Sequence, residues 1–422
     1  MNGQPISGAS VGAMGRRGRR GGVGLRALAA GAMLLVLTAC GGGATAGGGT
    51  GGQGPAAQGG GGTQENNAAS QAVVTILPKD GADSVATSGV LKVTAEQGKL
   101  TTVTVADSKG TAIAGKIAAD GASWTPTSHL SGGTQYKVHA IAKDSAGRES
   151  AKDISFTTLV PKNTFIGHYT PEDGSTVGVG MPVSINFTRG ITDPEAVERA
   201  IKVTAVPSVP IEGHWFGNDR LDFRPEDYWA AGTKVTVHLN LDGVEGRPGV
   251  YGKQKKTITF TIGRRQVTTV DASAKTMKVE RDGKVIKTIP ITAGAPSTTT
   301  YNGQMVISEK FKVTRMNGAT VGFGGEYDIK DVPHAMRLST SGTFVHGNYW
   351  APAGTFGSSN VSHGCVGLQD ARGAGDSSMP AAWFYDRSII GDVVVVKNSN
   401  DKQIKPDNGL NGWNMKWSEW IA

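Results

Sequence analysis

Apolar and polar residues alternate in short runs along most of this chain, and Gly, Asp, Asn and Pro separate the runs. Val138-His139-Ala140-Ile141-Ala142 and Val235-Thr236-Val237-His238-Leu239 have the period of two that puts one face of a strand in a core and the other in water. From Gln266 the pace changes to a meander: Gln266-Val267-Thr268-Thr269-Val270, an Asp-Ala-Ser turn, Thr276-Met277-Lys278-Val279, an Arg281-Asp282-Gly283 turn, then Val285-Ile286-Lys287-Thr288-Ile289. Helical signals are few. Pro380, after Ser377-Ser378, marks a helix start ahead of Ala381-Ala382-Trp383-Phe384-Tyr385, and Gly391-Asp392 leads into a buried strand, Val393 to Val396. Trp413, Trp417 and Trp420 stand at i, i+4 and i+7, which predicts one face of a short helix packed on the domain before it. The pattern predicts a mainly β protein.

Between residues 71 and 263 the chain repeats itself. Pro78-Lys79-Asp80-Gly81 recurs as Pro171-Glu172-Asp173-Gly174, and Trp124-Thr125-Pro126 as Phe223-Arg224-Pro225. Gly133-Thr134-Gln135-Tyr136 and Gly232-Thr233-Lys234-Val235 follow at matching distances, and the copies close on Ile154-Ser155-Phe156-Thr157 and Ile258-Thr259-Phe260-Thr261. Pro126 and Pro225 are 99 residues apart, the length of one β-sandwich. Two tandem immunoglobulin-like sandwiches are therefore expected, over 71–160 and 161–263, with Trp124 and Phe223 in their cores. A β-rich domain with a few short helices follows over 264–398, and the tryptophan-rich segment occupies 399–422. The sandwiches carry no clustered chemistry, which favours a spacer; the short junction Thr261 to Arg265 leaves tight packing of the second sandwich on the next domain as the alternative.

The N-terminus changes the picture. Arg16, Arg17, Arg19, Arg20 and Arg26 precede an apolar run from Ala27 to Ala39, with no acid among residues 1–39, which reads as a secretory signal. The run is too short to span a bilayer. Leu37-Thr38-Ala39-Cys40 resembles a bacterial lipobox, which implies cleavage before Cys40 and a lipid on its sulfur. The protein is expected to be exported and held by that lipid on the outer face of the cytoplasmic membrane, facing the cell wall. Residues 40–70, dominated by glycine, have too little apolar surface to fold and form a tether with a root-mean-square span of roughly 30 Å. The formal charge of +8 falls to about +3 without residues 1–39. With no basic run interleaved with aromatics, nucleic-acid binding has no support. No metal-ligand spacing is present, and no metal or cofactor is expected.

Cys365 is the one other cysteine, in Ser362-His363-Gly364-Cys365 and nineteen residues after the His346 of Phe344-Val345-His346-Gly347. A lone thiol in an exported protein, near histidines, is a candidate nucleophile. His346 or His363 is placed to act on it. Gly364 leaves the sulfur open to substrate, and the N–H groups of Gly364 and Cys365 are candidates to face a developing oxyanion. The constellation fits acyl transfer through a thioester.

His346-Gly347, fourteen intervening residues and Ser362-His363-Gly364-Cys365 resemble the signature of L,D-transpeptidases, the YkuD-type catalytic domain. Ala382-Trp383-Phe384-Tyr385-Asp386 and Gly391-Asp392-Val393-Val394 are also similar to segments of that family, and the whole arrangement is similar to its actinobacterial lipoprotein members. The resemblance implies that Cys365 is the nucleophile, His346 the general base and the Gly347 carbonyl the group that orients it. It implies that His363 shapes the pocket, that Tyr327 belongs to a lid and that Trp350 stands at the pocket mouth. The implied partners are peptidoglycan stem peptides, a tetrapeptide donor and an acceptor amine, joined in a 3→3 cross-link as D-Ala leaves; carbapenems would acylate the same sulfur. Two departures stand out. Gly367 occupies a position, two after the cysteine, commonly held by Asn or Arg, with Arg372 as a candidate replacement, and Thr300-Tyr301-Asn302-Gly303 departs from a usual Thr-Pro loop. The alternatives are an L,D-carboxypeptidase on the same stems and a non-catalytic wall-binding lipoprotein.

Overall fold

The computed structural model describes residues 68–321 and 324–422. The segment read as a secretory signal, Cys40 and most of the expected tether lie outside the described residues. The described chain is mainly β, with three α-helices.

Two sandwiches come first. In the first, Val73–Leu77, Lys92–Glu96, Ser123–Pro126 and Gly115–Ile117 form one sheet in that order, and Ala82–Val85, Glu149–Thr158, Gln135–Lys143 and Lys99–Asp107 the other. In the second, Gly167–Thr170, Val183–Phe187, Arg220–Arg224 and Glu212–Phe216 face Thr176–Val177, Lys255–Ile262, Lys234–Asn240 and Ile201–Val206. Trp124 and Phe223 lie in the two cores. The repeated Pro-x-Asp-Gly motif does the same work in both copies: Asp80 accepts the N–H of Ser155 at 2.7 Å and Asp173 that of Thr259 at 2.8 Å, tying an early turn to the closing strand.

The third region is a nine-stranded sheet in the order Gly303–Val306, Val393–Lys397, Gln266–Asp271, Thr276–Arg281, Lys284–Thr292, Val366–Gln369, Phe344–Asn348, Asp328–Arg337, Glu309–Asn317. The meander read from the sequence supplies three adjacent strands, and the helix begins with Pro380 in its first turn and runs to Arg387. Val366–Gln369 and Phe344–Asn348 are parallel neighbours near one end of the order, with Val345 opposite Val366 and His346 opposite Gly367.

Of the two expectations for the second sandwich, tight packing on the next region is the one seen. Its core continues through Val306, Val393 and Trp413 of the following region. Backbone meets backbone there, since Gly178 donates to Ile390 at 2.8 Å and Gly180 to Gly391 at 2.9 Å. A Cβ on Gly178 would lie 2.3 Å from the amide nitrogen of Asp392, so only glycine permits the approach. At the junction, Arg264 meets the buried Asp392 with two bonds of 2.8 and 2.9 Å.

The C-terminal tryptophans are not on one helix. A 3₁₀ turn, Gly412–Asn414, is followed by extended Met415 and Lys416 and a single helical turn, Trp417–Trp420. The break follows from Asn414, whose amide exchanges bonds of 2.8 and 2.7 Å with the backbone of Gln304 and draws the chain onto that sheet edge. The segment also packs on the second sandwich: Trp413, Trp417 and Trp420 surround Arg224 at 4.9, 5.2 and 4.2 Å, and the Trp420 indole donates to Glu212 at 3.0 Å. Burial in that cage lowers the Arg224 guanidinium to about 10.

Candidate active site

The two motifs meet because their strands pair. His346 lies opposite Gly367 in the parallel pair, and Cys365 immediately precedes the Val366–Gln369 strand, which brings the thiol to the same end of the sheet as the imidazole. Both line a cavity of about 400 Å³, together with Met316, Tyr327, Ile329, Asn348, Trp350 and His363. A larger hollow, about 920 Å³, opens between the two sandwiches among His129, Arg199 and His238, and it holds no thiol.

The tautomer of His346 is set by its neighbour. Its Nδ1 is 2.8 Å from the Gly347 carbonyl, which can only accept, so Nδ1 carries the proton and Nε2 presents a lone pair. Burial pulls His346 below its ordinary pKa, against the opposing pull of that carbonyl. Burial also pushes the Cys365 thiol up to about 11, and the residue is only 8% exposed. Both shifts have one cause, burial, and both favour the uncharged form of the group. Sγ contacts the Gly342 carbonyl at 3.6 Å.

The remaining positions fall around this pair. Trp350, 42% exposed, stacks over His346 with centroids 5.7 Å apart and planes 17° from parallel. Tyr327 packs on His363 at 5.0 Å, and His363 Nε2 meets Glu326 at 3.1 Å, so both line the cavity as part of one cluster. Burial raises the Tyr327 phenol to about 12. Gly364 has φ +106, which reserves it for glycine, although a Cβ there would meet nothing closer than 3.6 Å. Its N–H, read from the sequence as an oxyanion donor, instead donates to Ser362 Oγ at 3.2 Å. Ser362 Oγ in turn donates to the Cys365 carbonyl at 2.6 Å, so the serine closes the turn that presents the thiol.

Gly367 is explained by crowding. A Cβ at this position would lie 2.8 Å from Thr292 Cγ2 and 3.5 Å from Asn348 Nδ2. Arg372 does not replace the absent side chain, because it pairs with Asp331 at 2.6 Å and does not line the cavity. Asn348, which the sequence reading passed over, sits beside that gap. Its Oδ1 accepts the N–H groups of Trp350 and Ala351 at 3.2 and 2.9 Å, which fixes the amide with Nδ2 turned the other way. The available signal was its place two residues after His346, on the same strand face.

Two regions of the chain match known families. Residues 82–245 match a family model described as a bacterial Ig domain, a span that runs across both sandwiches. Residues 265–396 match the model of the L,D-transpeptidase catalytic domain. L,D-transpeptidase 2 of Mycobacterium tuberculosis is 34% identical over 348 residues, 81% of this chain and 82% of the relative. L,D-transpeptidase 5 of the same organism is 32% identical over 358 residues, 83% of this chain and 76% of the relative. A solved structure of the L,D-transpeptidase LdtMt1 in complex with imipenem is 29% identical, with a TM-score of 0.46, and covers 55% of this chain and 97% of that one.

Proposed function

Since this chain belongs to the L,D-transpeptidase family, we propose that it forms 3→3 cross-links between peptidoglycan stems through a thioester on Cys365. The observation that supports this most is that Cys365 and His346 line one cavity, with Nε2 left as the acceptor. In the first half-reaction Nε2 takes the thiol proton while the sulfur attacks the carbonyl of the third residue of a tetrapeptide stem. The C–N bond to the terminal D-Ala then breaks, and the imidazolium returns its proton to the departing amine. In the second, the side-chain amine of another stem's diamino acid attacks the thioester, an amide forms, and the thiol is restored. Burial favours the uncharged thiol and imidazole, so in this reading proton transfer accompanies attack.

Within this reading Trp350 shields His346 from water, while Tyr327 and His363 flank the donor stem. The Cys365 N–H is the remaining backbone donor of the motif for the oxyanion. A strained lactam offers the same thiol an activated carbonyl, so carbapenems acylate it. These steps call for no cofactor. We place the enzyme outside the cytoplasmic membrane, exported by residues 1–39 and anchored by lipid on Cys40. The second reading is hydrolysis, with water as the acceptor. Incubation of the soluble enzyme with purified muropeptides separates the two by mass: cross-linked dimers support transfer, and tripeptide monomers alone would replace it with carboxypeptidase activity.

A further inference from the structure

His334 has φ +47, a left-handed conformation that side-chain-bearing residues seldom hold, and it is 4% exposed. It lies in the strand Asp328–Arg337, next to the strand that carries His346. The register of that pair sets Met336 opposite Val345 and, extended by two residues, His334 opposite Gly347. On the other side of the His346 strand, Asp370 follows Val366–Gln369, and its side chain is fully buried. His334 Nδ1 is 2.7 Å from Asp370 Oδ2, so this bond crosses over the strand between them. It crosses at Gly347: a Cβ on that residue would lie 2.0 Å from Asp370 Oδ2 and 2.7 Å from its Cγ. The other carboxylate oxygen is held by the Ala371 N–H at 2.8 Å, and the His334 ring packs on Tyr385 at 5.1 Å.

We propose that His334 and Asp370 form a buried positioning pair that clamps the Gly347 peptide, so that its carbonyl keeps His346 in the tautomer and orientation that accept the Cys365 proton. The proposal rests on the reading of His346 as the base. Neither residue of the pair touches substrate. The arrangement accounts for the glycine at 347, which the crossing bond requires, and for the left-handed backbone at 334, which aims Nδ1 across the strand. Asp370 packs against the Gly347 backbone, and the Gly347 carbonyl bonds His346, so in this proposal damage to the pair should appear first in the imidazole.

The test uses the described two-sandwich and catalytic chain, residues 68–422, with three readouts: second-order acylation by a carbapenem, thermal unfolding, and the ¹⁵N shifts of the His346 ring. His334→Gly keeps the backbone conformation and deletes the donor; Asp370→Ala deletes the acceptor. Both should unfold cooperatively, acylate about 10- to 100-fold more slowly, and shift His346 from one Nδ1–H tautomer to a mixture. His334→Asn tolerates the same backbone and restores an N–H at similar reach, so it should recover most of the rate. Folded variants that acylate at the wild-type rate would overturn the proposal, as would slow variants whose His346 tautomer is unchanged, which would leave the pair a role in folding alone. If Asp370→Ala does not fold, equal rates for His334→Gly and His334→Asn overturn it. His346→Gln separates the two readings: wild-type acylation there sinks the base assignment itself, whereas slow acylation there with normal His334 and Asp370 variants sinks only the pair.

Discussion

The indole N–H of Trp413 donates to the carbonyl of Gly180 at 2.7 Å, a bond from the last segment of the chain to the second sandwich. The same indole is buried in a core that holds residues of both regions, and Arg224 lies against its ring. The second sandwich and the catalytic sheet thus bury a common surface, and neither face was built to meet water.

A chain truncated to begin at Arg264 should therefore lose its cooperative unfolding transition and its acylation by carbapenem. Trp413→Ala in the full described chain should cost about 3–5 kcal/mol, the usual penalty for emptying a buried aromatic site. Calorimetry checks both. A sharp transition and a full acylation rate in the truncated chain would restore the view of the sandwich as a spacer.

The pH dependence follows from two opposite shifts with one cause. Burial lowers His346 below its ordinary 6.5, so the accepting form persists as pH falls through that value, and acylation should stay level there before declining. In His346→Gln the rate should instead follow the thiolate, rising about tenfold per pH unit towards the thiol's value of about 11. Stability moves the other way. The raised thiol favours the folded state in full below its ordinary 9.0, and that contribution is lost as pH rises through about 11. Stopped-flow acylation from pH 5 to 10 reads the first two slopes; a flat profile in the glutamine variant would remove His346 from the proton transfer.

Gly367→Asn should destabilise the protein by about 1–3 kcal/mol, because any Cβ at this position presses on Thr292 Cγ2, in the Lys284–Thr292 strand. Acylation should fall with it, since Asn348 already occupies the neighbouring space. Thermal melting and acylation measured together check this; an unchanged melting temperature would show that the strand yields freely.

What could be read from the sequence was what local rules carry. Alternation gave the hairpins from Gln266 to Ile289, proline placed the helix at Pro380, and two short motifs held the candidates Cys365, His346 and Gly347, of which only the His346–Gly347 bond is local. What escaped depends on register between distant strands. Nothing in Val332-Pro333-His334 announces that His334 reaches Asp370, and no local pattern says that Trp413 will close on Arg224. The tryptophan spacing misled for the same reason: the distant Gln304 holds Asn414 and breaks the helix. Gly364 likewise gave its N–H to a serine hydroxyl whose rotamer no sequence specifies.

Cys40→Ser should release the protein from the membrane or stall its processing, because a serine cannot form a thioether. Fractionation with a lipid label checks this, and membrane-bound, labelled protein in the variant would contradict the anchor.

The most direct test of the central claim is the mass of the enzyme quenched during turnover with a tetrapeptide stem and no acceptor. The account predicts an adduct equal to the donor less D-Ala, mapped by peptide digestion to Cys365 and absent from a folded Cys365→Ala variant. An adduct that persists in that variant, or turnover without any adduct in the wild type, would contradict it.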